Sequence, residues 1–268
     1  MLKDITLGQY FPGKSVIHRL DPRTKLVLVL GYIIALFMAV SWVSFGVMLA
    51  VLLLCIIVSG IPAKSFLNGM KPLIFIMIFT GALNLFYTTG EKPLVQWWII
   101  TIYPEGIVRA VFMIGRILML IACTFLLTYT TSPIALTDGL ESLLNPLKVI
   151  KVPVHELSMM MCIALRFIPT LIEETDKIMS AQKARGADLE SGNLMQRVKA
   201  LVPILVPLFI SAFRRADELA TAMECRCYHG GEGRTKMKLL RYKRGDYFAY
   251  VTIALVIGAV CVLRNFGL

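Results

Sequence analysis

Five long apolar segments, at residues 26–43, 45–61, 73–87, 107–129 and 247–262, decide what this chain can fold into. Each is near the ~20 residues that a helix needs to cross a bilayer. The chain is 57% hydrophobic with a mean hydropathy of +0.73, above the roughly 45–50% apolar share of soluble domains. The expected fold is therefore an all-α integral membrane protein with about five transmembrane helices, completed by a region of amphipathic helices. Ser41, Trp42, Val43 and Ser44 separate the first two segments, which form a tight hairpin if both cross the membrane or else merge in part.

The net charge of +11 has to sit outside the lipid, where cations favour the cytoplasmic side and anionic headgroups. Lysine and arginine concentrate in the N-terminal segment, in the loop at 62–71 and in the long stretch after Tyr129, all on one side of a five-span arrangement. The opposite loop, 88–106, holds Lys92 against Glu91 and Glu105, with Trp97, Trp98 and Tyr103 suited to an interfacial belt. The N-terminus is expected in the cytoplasm and the C-terminus outside. Apolar runs interrupt the basic residues, so no continuous stripe exists for nucleic acid. Cys55, Cys123 and Cys261 lie in apolar runs, and the six cysteines suggest no disulfide framework.

Arg116 lies within the fourth segment, where exposure to lipid would cost several kcal/mol. It either caps carbonyls between helices or touches a membrane partner. The expected organisation is a membrane domain over 1–131, a cytoplasmic domain over 132–244 and a final transmembrane helix over 245–268.

Within 132–244 apolar residues recur at helical spacing between charges. Ser132 and Pro133 start one helix, which ends at Asn145-Pro146. A second runs from Pro153 past Pro169, where a kink is expected, to Gly186. A third runs from Leu194 to Cys227. The ends of the last two repeat each other: Asp176 to Gly186 aligns without gaps on Asp217 to Cys227, with 226 − 185 = 41 positions between the arginines. Each block places an arginine one turn beyond an alanine. A last-turn arginine complements the helix dipole, and its planar fork grips a carboxylate bidentately. Either both are dipole partners on a solvated face, or they are docking tips for two similar partners.

The segments Ala184-Arg185-Gly186 and Cys225-Arg226-Cys227 resemble the paired Ala-Arg-Gly signatures of the EcfT family, the transmembrane coupling subunits of energy-coupling factor transporters. Similar to that family too are Asp21-Pro-Arg-Thr-Lys25, Ile102-Tyr-Pro-Glu-Gly106, Thr131-Ser-Pro133, Asp138-Gly-Leu-Glu141 and Arg166-Phe-Ile-Pro-Thr170. The order and spacing of these motifs make the resemblance specific. It implies a non-catalytic subunit of the bacterial cell membrane, working with two ABC-type ATPase subunits and an exchangeable membrane protein, the S subunit, that binds a vitamin. ATP and Mg would be used by the ATPases, with no cofactor on this chain. Arg185 and Arg226 would each dock on one ATPase. Cys225 and Cys227 stand where the family pattern has Ala and Gly, which puts the cap at 227 in question. Met159, Met160 and Met161 would face the S subunit, as repackable side chains do, or serve as core; Arg116 is a second such candidate.

Other chemistries lack their residues. Cys225, Cys227 and His229 have no second ligand cluster for a metal. The run Gly230 to Lys236 fails the phosphate-loop pattern, because arginine follows Gly233 and Tyr228 occupies the earlier glycine's place. A free-standing channel or secondary transporter needs more polar groups at midmembrane than Asn84 and Arg116. A dedicated cobalt or nickel subunit remains open beside the vitamin type, towards which the methionines and the Cys-Arg-Cys variant incline the reading.

Overall fold

The computed structural model describes residues 10–88, 95–97, 100–187, 194–230 and 239–265. Two compact units divide the chain: Gly8–Gly139 with Leu240–Leu268, and Leu140–Leu239.

The first unit begins with α1 (Pro22–Met38), whose N-cap Asp21 accepts a hydrogen bond from the Arg23 amide, with Pro22 in the first turn. That is the arrangement in which proline's missing N–H costs nothing. Ser41 caps α2 (Trp42–Ser59) by accepting from the Ser44 amide, so the first two apolar segments are separate helices. Helix α2 ends at Gly60, whose φ is +70°. The cationic segment expected as a loop at 62–71 is itself largely helical. It forms α3 (Ala63–Met70), which buries Phe66 and passes through a 3-10 turn into α4 (Ile74–Tyr87). A short antiparallel ribbon, β1 (Val95–Trp97) with β2 (Ile100–Ile102), pairs Gln96 with Thr101 inside the expected aromatic loop.

Helix α5 (Pro104–Thr130) follows, then α6 (Pro133–Leu144), whose Ala135 amide donates to Ser132 Oγ. Helix α9 (Arg244–Asn265) completes this unit. Its core is built by Tyr32, Leu36, Met48, Leu52, Met119 and Val260, drawn from α1, α2, α5 and α9. A buried polar cluster ties the helix ends. Lys25 Nζ donates to the Thr130 carbonyl at 2.8 Å and to Thr131 Oγ1 at 3.2 Å. Asp246, 1% exposed, accepts from the Asp21 amide at 2.8 Å and the Lys243 amide at 2.7 Å.

In the second unit a 3-10 turn over Asn145–Ile150 leads to α7 (Val154–Ala184), and α8 (Leu194–Glu224) follows. Both are unbroken 31-residue helices, α7 continuing through Pro169 and α8 through Pro203 and Pro207. Glu141 fixes the start of α7: its carboxylate accepts from Ser158 Oγ at 3.1 Å and lies 3.2 Å from His155 Nδ1.

The protein is an all-α integral membrane protein. Among the described residues, five helices are long and apolar enough to cross a membrane: Trp42–Ser59, Ala63–Tyr87, Pro104–Thr130, Val154–Ala184 and Arg244–Asn265. Four of them overlap expected spans. Helix α1, also expected to cross, has 17 residues, at the short end of the spanning range. Helix α7, expected to be amphipathic, qualifies through its apolar N-terminal part, whereas Glu173, Glu174, Asp176, Lys177 and Lys183 follow Pro169.

Two matched helix ends form a candidate docking site

The 41-residue repeat is a repeat of backbone geometry. At the end of α7 the Gly186 amide donates to the Lys183 carbonyl at 3.0 Å and the Ala187 amide to the Gln182 carbonyl at 3.0 Å. At the end of α8 the Cys227 amide donates to Glu224 at 2.8 Å and the Tyr228 amide to Met223 at 3.1 Å. These are the paired five-to-two and six-to-one bonds of a Schellman cap, at positions that all differ by 41. Arg185 and Arg226 are the last residues before the left-handed position in each. That position holds Gly186 at φ +83° and Cys227 at φ +56°.

Cys227 thus adopts the backbone that its glycine counterpart adopts, although a Cβ there costs about 1–2 kcal/mol. The cap geometry in question at 227 is therefore retained. Ala184, Arg185, Gly186, Cys225, Arg226 and Cys227 are all exposed, and both cysteines are free thiols. The two tips present the same features: a free helix end, an arginine and a small neighbour.

What joins the helices bearing these tips was not foreseen from the sequence. Glu174 on α7 meets Arg215 on α8, with Nη2 to Oε2 at 2.7 Å, and Ser211 Oγ donates to the other carboxylate oxygen. The Ser211 hydrogen bond, aided by the Arg215 guanidinium, holds the Glu174 carboxyl below its usual range. Since 215 − 174 = 41, this ion pair joins positions separated by the same offset as the repeat. A second bond, from Gln182 Nε2 to the Pro203 carbonyl at 3.4 Å, shows that the helices run past each other in opposite senses. Pro207 has no N–H to give to residue 203, which leaves that carbonyl open for Gln182. Each tip lies 11 residues beyond the pin, since 185 − 174 and 226 − 215 agree. Along a helix that is roughly 16 Å.

The three methionines do not share one surface. Met160 is 55% exposed, beside the exposed Leu157, while Met159 and Met161 are half-buried. Consecutive helical residues point about 100° apart, so no run of three can face one partner. Arg116, in the first unit, donates through Nη2 to the Ala39 carbonyl at 2.9 Å and lies over the Phe37 ring. It caps the end of α1, which answers how its charge is accommodated inside the chain. The glycine-rich and basic run at 231–238, and Glu91, Lys92 and Trp98 of the aromatic loop, fall outside the described residues.

Residues 13–237 match the family model described as cobalt transport protein, CbiQ. The chain is 54% identical over 266 residues to a Clostridium kluyveri protein named energy-coupling factor transporter transmembrane protein EcfT, covering 99% of this chain and 98% of that one. Proteins of the same name from Bacillus subtilis and Listeria innocua are 46% and 44% identical, over 98% and 99% of this chain and all of theirs. Apolar helices, order of motifs and near full-length identity agree, and the chain belongs to the CbiQ/EcfT family of transmembrane components of energy-coupling factor transporters.

Proposed function

We propose that this chain is the mechanical link between two ABC-type ATPase subunits and a membrane S subunit, and that it does no bond chemistry itself. ATP and Mg belong to the ATPases. The observation that carries this reading is the pair of caps with matching hydrogen bonds, each offering Arg185 or Arg226 at an exposed tip of helices pinned at Glu174–Arg215. Two equal tips suit two equal partners. A guanidinium seated against a carboxylate in an ATPase groove would transmit lateral force through a bidentate contact.

ATP-driven closure of the ATPases would swing both tips about the shared pin. The exposed Leu157 and Met160 would pass that motion to the S subunit, and the polarizable, adaptable methionine suits a surface that accepts several partners. The tips would face the cytoplasm, as would the N-terminus, with the C-terminus outside. The adaptable methionine surface inclines the reading towards a shared subunit serving vitamin uptake over a dedicated cobalt or nickel one.

The test is co-expression with candidate ATPases. Arg185→Glu with Arg226→Glu should abolish ATPase copurification and uptake, because truncating or reversing one partner of a buried charge pair weakens binding by about 30-fold or more. Unchanged assembly and uptake in the double variant would remove the proposal.

A further inference from the structure

The first unit holds a cavity of about 220 Å³ between α1, α2, α5 and α9. Its lining follows these helices for more than one turn each. On α9 its wall runs from Phe248 to Val256, eight residues or about 12 Å. Phe248 is 75% exposed and marks the opening.

Four hydroxyl- or amine-bearing side chains line this cavity, and each commits its donors inside the chain. Lys25 Nζ serves the carbonyls of His18 and Thr130 and the hydroxyl of Thr131. Tyr32 donates to the Met48 carbonyl, Thr130 to Leu126 and Thr252 to Phe248. Apart from the weakly polar thiols of Cys55 and Cys123, the interior therefore offers an occupant no free side-chain donor among the described residues. An apolar cavity of 150 Å³ stays dry and takes up benzene, so this larger one suits hydrocarbon better than water.

The mouth has the opposite character. Arg244 stands one turn before Phe248 on the same face of α9. Leu20, another wall residue, has a terminal carbon 3.7 Å from where a Cβ on Gly245 would sit, and Arg19 adjoins it. Arg19 and Arg244 are exposed, and among the described residues no carboxylate lies within ion-pair distance of either. The nearby acids, Asp21 and Asp246, are buried and already accept backbone amides.

An apolar cavity whose α9 wall is about 12 Å long, beneath unpaired cations, is complementary to one class of molecule. We infer that the cavity takes an acyl chain of an anionic phospholipid, whose headgroup phosphate is held by Arg19 and Arg244. This makes the lipid a wedge between α1 and α9, seated beside the Lys25–Asp246 cluster.

The full chain, reconstituted in nanodiscs of phosphatidylglycerol and phosphatidylcholine in equal parts, would be examined by native mass spectrometry. The wild type should keep one phosphatidylglycerol under activation that strips other lipids. Arg19→Gln and Arg244→Gln should each cut its preference over phosphatidylcholine about fivefold. Ala249→Phe, which fills the slot, should abolish retention of either lipid. The arginine variants lie on the surface and keep the test decisive if Ala249→Phe misfolds. Equal retention of both lipids by the wild type, no effect of the arginine changes, or retention by a folded Ala249→Phe protein would overturn the inference. So would a folded Ala249→Phe protein that keeps its lipid but loses assembly with an S subunit, because the slot would then be a seat for a partner's side chain.

Discussion

Position 227 isolates what a left-handed cap asks of one residue. Gly186 and Cys227 occupy the same position in caps with the same two hydrogen bonds, one from each of them and one from the residue that follows, but only cysteine carries the Cβ penalty, at φ +56°. Cys227→Gly should therefore stabilise the second unit by up to about 1 kcal/mol, offset in part by the greater freedom of glycine in the unfolded chain. Gly186→Ala should cost about 1 kcal/mol, and purely through backbone strain, since nothing lies within 4 Å of the added Cβ. Denaturant melts of the purified variants, with ATPase copurification as a second readout, check both. The arginines and the repeat were legible because capping is local: an arginine at the end of a periodic stretch needs no tertiary information. That cysteine would keep the left-handed conformation was not legible, because the penalty competes with two hydrogen bonds that appear only once the helix is formed.

At the scale of elements, the Glu174 pin gives a pH dependence whose sign is fixed. Its carboxyl titrates lower in the folded chain than in the unfolded one, so the contribution is full above the ordinary glutamate value of about 4.3 and is lost as pH falls through the lower folded value. Glu174→Gln should melt earlier than wild type at neutral pH, and the difference should shrink to nothing in acid. A constant difference across pH would mean that packing, and not charge, joins the helices. The polar cluster of the first unit predicts a larger effect. Asp246→Ala leaves the Asp21 and Lys243 amides without their acceptor at a site only 1% exposed, at about 1–3 kcal/mol for each orphaned group. Thermal denaturation in detergent should show α9 released from α1 well before the wild type melts. Neither cluster was readable from sequence: Asp21 and Asp246 are 225 positions apart, and nothing in either neighbourhood names the other. The motif at 21–25 marked the place without disclosing its partner. Spans were legible from hydropathy alone except where length and charge disagree: α1 is short but apolar, and α7 is long with its charges gathered at one end.

For the whole molecule, the spacing of the tips from the pin separates binding from work. Each arginine is about 16 Å along its helix from Glu174–Arg215, so a change at one tip should leave the other's contacts intact, as sites farther apart than 7–10 Å usually behave independently. In the proposed assembly binding should then be additive: Arg185→Glu or Arg226→Glu alone should reduce the complex from the proposed two ATPases per chain to one, read by light scattering on the purified assembly. Transport should not be additive. Under the proposed function both helices would turn about one ion pair, and a force applied to a single tip, opposed by nothing on the far side, would rotate the pair instead of moving the tips relative to each other. Either single variant should thus lose vitamin uptake in reconstituted vesicles almost completely while retaining half of its motors. Half-maximal uptake in the single variants would show that each tip works alone and that the pin at Glu174 is only structural.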